Sequence, residues 1–252
     1  MVQDSKVALI TGGTSGVGLE VAKILSLAAA SDAGFKLLGR FDFAFANADI
    51  MERANPYEKV QTLPPPHPEF PIIDIGFKGF VYTTWLAQHY FRATPGEGKD
   101  LMLLFHSSCT AFYGSQFTPI YAGAKAAIVN FLHSITFLFH HFAGIHAYTI
   151  CRGGIKTNLM TPEEHAAFPG STWTPMTKVT GTIEILINRG TVEDSWAKKV
   201  EKEANYGLTM EINNDNHYFR DPVEHCDEPM EANMYNNSLE KDPFPVSLWS
   251  GP

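Results

Sequence analysis

Residues 7–18 read VALITGGTSGVG, and this stretch decides how the beginning of the chain folds. The apolar run 7–10 is typical of a buried strand in a parallel sheet, and it leads directly into glycines. Residues 17–28 then place Val17 and other apolar side chains on one face of a helix. This order can bind a pyrophosphate, because glycine lets the backbone approach phosphates and a helix start offers free N–H groups. A turn with only a structural role is the alternative.

Short apolar runs and amphipathic stretches alternate along the rest of the chain. The runs predict strands at Val7–Thr11, Phe41–Ala46, Asp100–Phe105, His146–Cys151 and Leu208–Asn213. Predicted helices cover Val17–Ala28, Ile72–Phe91, Pro119–Phe142 (ended by Gly144) and Met176–Asn188. Loops are predicted at Asn55–Pro71 and Thr157–Pro175, and an irregular tail from Asp221. This alternation predicts an α/β fold, a Rossmann-like doubly wound parallel sheet, in one domain over residues 1–252.

Tyr121 and Lys125 stand four residues apart in the long predicted helix, so their side chains share one face. A phenol has a reference pKa of about 10, too high for a base at neutral pH, but a nearby ammonium stabilises the phenolate. The pair is therefore a candidate general acid and base. Ser108 follows a predicted strand, and its hydroxyl can orient a substrate oxygen. An isolated pair of this kind is usually a surface contact, which would not account for Ser108 or the glycine turn.

The composition narrows the function further. The net charge is −8 and no cluster of Lys and Arg forms a stripe, so we expect no nucleic-acid partner. The three scattered cysteines indicate a reducing compartment, and we expect a cytoplasmic protein. Polar residues interrupt the most apolar stretch, 126–144, so we expect no membrane span. The ten histidines show no metal-ligand spacing, and we expect no metal site.

In these motifs the chain resembles the classical short-chain dehydrogenase/reductases over most of its length. TGGTSGVG at 11–18 is similar to the family's TGxxxGxG, and ANAD at 46–49 is similar to NNAG. SS at 107–108 followed by YAGAK at 121–125 is similar to the family's Ser–Tyr–Lys set, and RGGIKTNL at 152–159 to its PGxVxT segment. Residues 55–219 resemble fungal members related to 15-hydroxyprostaglandin dehydrogenase.

The resemblance implies an oxidoreductase that transfers a hydride between NAD or NADP and a secondary alcohol or ketone. Tyr121 would move the proton, Lys125 would stabilise the phenolate and bind the nicotinamide ribose, and Ser108 would hold the substrate oxygen. The cofactor-binding residues implied by the resemblance are Thr11, Gly12, Ser15, Gly16, Val17, Gly18, Asn47, Tyr121, Lys125, Ile155 and Thr157.

Two further expectations concern partners. The predicted 157–175 loop carries apolar residues that could cover a pocket, so we expect a hydrophobic small-molecule substrate. These residues are Leu159, Met160, Phe168 and Trp173. The helix from Pro119 is apolar nearly all round, although one apolar stripe would suffice to pack on the sheet. We therefore expect a homo-oligomer, the state in which this family often assembles through that helix.

The chain also departs from the family's pattern. Gly76 stands where the family has a catalytic asparagine, Arg152 where it has proline, and Asp49 where it has glycine. Only 28 residues separate Gly18 from Asn47, an interval that in the family holds two further strands and a helix. We therefore expect a shortened N-terminal half without the second and third strands, and weak cofactor binding with little preference between NAD and NADP. The alternative function is a catalytically impaired member of the fold that binds a ligand or a partner protein.

Overall fold

The computed structural model describes residues 7–24, 35–36, 38–53, 59, 61–65, 70–95, 101–167 and 173–239. The first half contains β1 (Ala8–Ile10), α1 (Gly16–Ile24), β2 (Phe43–Ala46) and β3 (Leu101–Ser108). Between β2 and β3, helix α2 runs through Pro71–Ile73, a wider π-helical turn at Asp74–Lys78, and Gly79–Ala93. Next come α3 (Pro119–Ala143), β4 (Ile145–Arg152), α4 (Pro162–Ala166) and α5 (Met176–Asn188). The last elements are β5 (Val192–Glu193), β6 (Lys199–Val200), β7 (Thr209–Asn213), β8 (Asn216–Phe219) and α6 (Glu228–Asn236).

Six strands form the main sheet, in the order β1-β2-β3-β4-β7-β8. The neighbours from β1 to β7 are parallel, whereas β8 pairs antiparallel with β7. Strands β5 and β6 form a separate antiparallel pair. A mostly parallel sheet flanked by helices confirms the predicted α/β fold.

Each face of the sheet is covered by its own apolar core. On one face, Leu104 and its neighbours pack with residues of α1 and α5, such as Val21 and Ile183. On the other face, Leu103 packs with residues of α2 and α3, such as Phe80 and Leu132. Successive residues of β3 thus point into different cores, and all eight of its residues are buried. This double burial explains why the strands appear in the sequence as continuous apolar runs.

Most predicted elements are present, with shifted ends. Strand β3 continues beyond Phe105 to Ser108, so the serine pair belongs to the strand itself. Helix α3 ends as predicted at Gly144, which has a φ of +63° and lets its N–H bond back to His140. The prediction of α5 was correct at both ends.

Three segments predicted without regular structure contain helical residues. Pro71 begins α2. Proline fits the first turn of a helix because an N–H at that position would have no partner within the helix. The segment 157–175 contains α4, because Thr161 and Glu164 form a reciprocal capping box. The tail contains α6, whose first turn is capped by the Asp227 side chain.

The interval between α1 and β2 bears on the predicted shortening. Among the described residues β1 pairs with β2 only, so it lies at one edge of the sheet. Residues 25–34 and 37, including the predicted end of the first helix, lie outside the described part. The start of β1 is held by Asp42, whose buried carboxylate accepts the Val7 N–H at 2.8 Å and is itself bound by Arg40 at 2.6 Å.

Helix α3 is long and apolar enough to cross a membrane by length and composition. Its inner face packs on the sheet, where Ile128 and Leu132 have no exposed surface. A buried core helix of a folded domain has the same length and composition, so this property alone is weak evidence for a membrane span.

Candidate active site

A cleft of about 440 Å³ opens beside the carboxyl ends of β1 to β4. Eight of the predicted cofactor-binding residues line it, namely Gly12, Ser15, Gly16, Val17, Asn47, Tyr121, Lys125 and Thr157. The remaining lining residues are Ala48, Asp49, Ile50, Met51, Arg53, His106, Arg152, Asn158 and Leu159. The cleft thus brings the glycine turn and the Tyr–Lys pair, which lie more than a hundred residues apart in the sequence, into one wall.

The glycine turn has the backbone shape that its sequence predicted. Gly12 and Gly16 have φ angles of +65° and +53°, a region that side chains with a Cβ rarely adopt. Helix α1 begins at Gly16, so the free N–H groups of its first turn lie beside the cleft. Gly18 permits a close approach, since a Cβ there would lie 2.5 Å from the Gly12 carbonyl oxygen.

Four predicted site residues do not line the cleft. Thr11 ties two strand ends together, because its hydroxyl accepts the Asn47 and Ala48 N–H groups at 2.9 and 3.1 Å. Gly18 packs behind the glycine turn. Ile155 is buried in the core that α5 covers, and so contributes packing rather than cleft surface. Ser108 lies at the end of β3, buried, and its Oγ accepts the Thr110 N–H at 3.2 Å.

Tyr121 and Lys125 share one face of α3, as their spacing predicted, and both are buried. The Lys125 ammonium lies 5.4 Å from the centre of the Tyr121 ring and donates to the His106 carbonyl oxygen at 2.8 Å. Glu52 caps this helix, since its carboxylate accepts the N–H groups of Ile120 and Tyr121 at 3.2 and 3.0 Å. The cap fixes the turn that carries the tyrosine.

Asp49 forms an ion pair with Lys125, with 2.5 Å between Oδ2 and Nζ. Only 9% of the Asp49 side chain and 2% of the Lys125 side chain are exposed, so water screens the pair little. The departure at Asp49 therefore does not place an unpaired carboxylate in the cleft. An ammonium has three donors, and the hydrogen bond to the His106 oxygen uses one of them, so Lys125 keeps donors for a ligand or for Tyr121.

A series of side-chain hydrogen bonds crosses the carboxyl ends of four of the parallel strands, β1 to β4. The Asn47 amide donates to the carbonyl oxygens of Thr11 and Gly12 at 3.1 and 3.3 Å. Its oxygen contacts His106 Nδ1 at 2.7 Å. Arg152 Nε donates to His106 Nε2 at 2.9 Å. The glycine turn, the end of β3 and the end of β4 are therefore connected through one asparagine and one histidine.

His106, which joins these hydrogen bonds, is neutral. Burial lowers the pKa of His106 well below its ordinary value, and the charges of Arg152 and Lys125 lower it further. Since the guanidinium can only donate, Nε2 accepts from Arg152 and the ring proton sits on Nδ1. That N–H donates to Asn47, so each ring nitrogen has one suitable partner.

The segment that follows β4 is held over the cleft by Arg53. Its guanidinium donates to the Leu159 carbonyl oxygen at 2.7 Å and pairs with the Glu164 carboxylate. Leu159 lines the cleft, as expected for an apolar cover. Trp173 instead packs against His165, with 5.1 Å between ring centres, and Phe168 lies outside the described residues.

Several site residues were not predicted to contribute to the site. His106 sits inside an apolar run, and nothing in its neighbours distinguishes it from a core residue. Glu52 and Arg53 lie in the segment after β2 and carry no motif. Asp49 and Arg152 do carry a signal, since both depart from the family's pattern. Within the described ranges no group of three or more His, Cys, Asp or Glu residues could hold a metal ion.

We expect Gly18→Ala to reduce the free energy of unfolding by about 1–3 kcal/mol, as overpacking of a tight site does. The new Cβ would lie 2.5 Å from the Gly12 oxygen and 2.6 Å from Asn47 Nδ2, and Asn47 is itself bonded to the turn. Gly13→Ala is the matched control, because its nearest neighbour would be the Ile10 oxygen at an ordinary 3.4 Å. Urea unfolding followed by circular dichroism measures both, and equal stabilities would contradict the tight approach.

The neutral His106 predicts a pH dependence of stability. The unfolded chain binds a proton at this residue near its ordinary pKa of 6.5, whereas the folded protein does so only at lower pH. The contribution of neutral His106 to the free energy of unfolding is therefore fully present above pH 6.5. It is lost as the pH falls below 6.5, by up to about 1.4 kcal/mol per pH unit. Urea unfolding of wild type and His106→Gln at several pH values tests this. A variant that loses stability as steeply as wild type would show that His106 does not contribute.

Known proteins resemble this chain in sequence and in fold. Residues 26–167 match the profile of the short chain dehydrogenase family. The short-chain dehydrogenase/reductase prx7 of Penicillium rubens is 36% identical over 225 residues, which cover 85% of this chain and 79% of that protein. A 3-oxoacyl-[acyl-carrier protein] reductase from Brucella melitensis, solved with NAD, is 20% identical with a TM-score of 0.60, covering 73% of this chain and 90% of its own. A short chain dehydrogenase from Burkholderia cenocepacia, solved with NADP, is 15% identical with a TM-score of 0.61, covering 86% and 99%.

Proposed function

The chain belongs to the short-chain dehydrogenase/reductase family, a family of oxidoreductases, and we propose that it oxidises a secondary alcohol or reduces a ketone with NAD or NADP. The observation that carries the proposal is the shared wall of the cleft. The Tyr121–Lys125 pair lines the same cleft as the turn at Gly12 and Gly16. Proton transfer and pyrophosphate binding would therefore take place within reach of one ligand.

The residues of the cleft fit a dinucleotide. Gly12 and Gly16 expose backbone rather than side chain, and the first turn of α1 offers unpaired N–H groups to a phosphate. Ser15 adds a hydroxyl donor at the same place. Lys125 lines the same cleft and would donate to a ribose hydroxyl, while Thr157 lies beside Gly16 of the glycine turn. When bound, NAD or NADP would supply or accept the hydride.

The protein's own part is to move a proton and to position the substrate oxygen. Tyr121 would give its phenolic proton to a ketone oxygen or take one from an alcohol. Lys125 would stabilise the phenolate, because its ammonium is fixed beside the ring. Ser108, which the resemblance assigns to the substrate oxygen, lies outside the cleft lining with its Oγ bonded to the Thr110 N–H, so this role would require its hydroxyl to exchange that bond. The apolar side chains of Ile50, Met51 and Leu159 in the wall support a hydrophobic small molecule as substrate.

We include the predicted shortening in the proposal. Lying at the edge of the described sheet, β1 would leave the adenosine half of the cofactor without the wall that the family's second strand provides. Losing about 1.4 kcal/mol of contact weakens binding tenfold. Phosphate and nicotinamide contacts would remain, so we expect weak binding with little preference between NAD and NADP.

The catalytic assignment is tested with Tyr121→Phe. We expect this variant to lose turnover of alcohols and ketones, followed by nicotinamide absorbance, because phenylalanine keeps the ring but cannot move a proton. Its thermal shift with NAD or NADP should resemble that of wild type, since a bound cofactor stabilises the fold by RT ln(1 + [L]/Kd). Turnover that survives the substitution would contradict the mechanism, and a low-micromolar Kd with strong preference would contradict the shortening.

A catalytically impaired member of the fold is the second candidate. The buried contact between Asp49 and Lys125 favours it, because a carboxylate reduces the charge with which Lys125 acts on Tyr121. Such a protein would bind a ligand or a partner and show no turnover with any substrate panel. The absence of a thermal shift with millimolar NAD and NADP would favour this second function.

The proposal extends to a homo-oligomer. Part of the apolar surface of α3 is used within one chain, since Ile128 and Leu132 are buried, whereas Phe142 is 59% exposed. Helix α2 adds an exposed face with Tyr82 at 66% and Trp85 at 55%. Exposed aromatic residues at helical spacing are typical of an interface.

We expect light scattering at micromolar concentration to give a mass of at least twice 27.9 kDa. Trp85→Glu should shift this toward the monomer, because a charge would be buried without a partner in the interface. Trp196→Glu is the matched control, since Trp196 is as exposed (63%) but lies between β5 and β6. A monomeric wild type would rule the oligomer out.

A further inference from the structure

Gly76 and Asp49 compete for one space in the fold. Gly76 lies in the π-helical turn of α2 and is buried. A Cβ at this position would lie 2.7 Å from the Asp49 Oδ1 atom, whereas its next contacts, Asp49 Cγ and Ile72 Cγ2, are at 3.6 and 3.9 Å. A side chain at position 76 would therefore have to displace this carboxylate oxygen. Gly76 and Asp49, two of the departures from the family's pattern, thus meet at one place in the fold.

Each oxygen of the carboxylate that fills this space lies close to a different group. Oδ1 accepts the Ile50 N–H at 2.9 Å, which sets the direction of the side chain. Oδ2 has no hydrogen-bond partner but lies 2.5 Å from the Lys125 ammonium, as one side of an ion pair. A buried charge is costly unless it is paired, so the two groups hold each other in place.

We propose that Asp49 is the positioning residue for Lys125, and that it takes the place of the side chain that α2 lacks at Gly76. This rests on the proposed function, in which Lys125 acts on Tyr121. Asp49 fixes the ammonium between the cleft and the His106 carbonyl oxygen, 5.1 Å from the centre of the Phe80 ring and 5.4 Å from that of Tyr121. Its negative charge also offsets part of the ammonium charge that the tyrosine experiences.

Each element packed against the ammonium contributes a titratable, charged or aromatic group beside it. Asp49 follows β2, His106 belongs to β3, and Tyr121 lies one helical turn away on α3. Arg152 and Cys151 face the site from β4, while α2 contributes the uncharged Phe80 ring. Asp49 is the only carboxylate within ion-pair distance of Lys125 in the described part of the chain. Removing its charge therefore makes the surroundings of Tyr121 more positive and stabilises the phenolate.

A stability cycle tests the shared space without requiring activity. Gly76→Ala should lower the melting temperature by about 3 °C or more in wild type, because the Cβ meets the carboxylate. In an Asp49→Gly background the same change should raise it, since alanine is the better helix residue. Gly181→Ala in α5, where a Cβ has no neighbour within 4 Å, is the control and should raise it in both backgrounds.

Asp49→Gly removes the ion pair and leaves Lys125 buried alone, so this variant should be the least stable. Asp49→Gly with Gly76→Asn returns an amide to the vacated space and should recover at least half of the lost melting temperature or of the lost soluble yield. The proposal would be overturned if Gly76→Ala changed the melting temperature equally in both backgrounds. It would also be overturned if the double variant were no more stable than Asp49→Gly.

The positioning role is read from the surroundings of Tyr121. Labelling tyrosines with ¹³C at Cζ gives each phenol its own NMR signal, and the spectrum of Tyr121→Phe identifies that of Tyr121. At pH 7 Asp49→Asn should move the Tyr121 signal, whereas Gly181→Ala should leave it in place. The same Asp49→Asn variant should shift the pH profile of turnover to lower pH, because the surroundings of the phenol become more positive. A lower melting temperature with an unmoved Tyr121 signal and an unmoved pH profile would reduce Asp49 to a structural residue and overturn the proposal. Absence of turnover with the NMR change present would refute the oxidoreductase function alone.

Discussion

The site depends on the chain of hydrogen bonds that runs from the glycine turn through Asn47 and His106 to Arg152. Parallel strands bring their carboxyl ends to one edge of the sheet, but they do not by themselves fix the loops that follow. Here one amide and one imidazole bridge those ends. A neutral histidine suits this task, because it donates on one nitrogen and accepts on the other. Protonation would place an Nε2–H against the Arg152 Nε–H, so two donors would face each other and this hydrogen bond would be lost.

The same edge of the sheet carries an uneven arrangement of charge. Lys125 has a carboxylate partner in Asp49. Arg152 is only 8% exposed and has no carboxylate within 4 Å among the described residues. It donates instead to His106 and to the Gly153 oxygen. Burial lowers the pKa of the Arg152 guanidinium, while Tyr121, Cys109 and Asp49 oppose that effect. The departures from the family's pattern therefore belong to one connected set of contacts rather than to independent losses.

Local sequence signals predicted much of the fold. The glycine turn, the strand before it and the left-handed end of α3 at Gly144 follow from backbone preferences within a few residues. The predictions failed at short elements. Helix α4 and helix α6 are stabilised by side-chain caps, and the pair β5 and β6 has only two residues in each strand, too few for a period to show. Ile155 was assigned to the cofactor from the resemblance, but its apolar side chain is buried under α5.

The sequence by itself determined the type of fold, because strands and helices alternate along the chain. It also determined the common face of Tyr121 and Lys125, because that depends only on their spacing within one helix. The tertiary structure decided which distant residues meet. Asp49, Gly76 and Lys125 come from a loop and two helices. Only the order and register of the strands bring the Asp49 carboxylate to 2.5 Å from Lys125 and into the space beside Gly76. Nothing local in Gly76 shows that its missing side chain makes room for a carboxylate, since that space belongs to the packing of α2 against the end of β2.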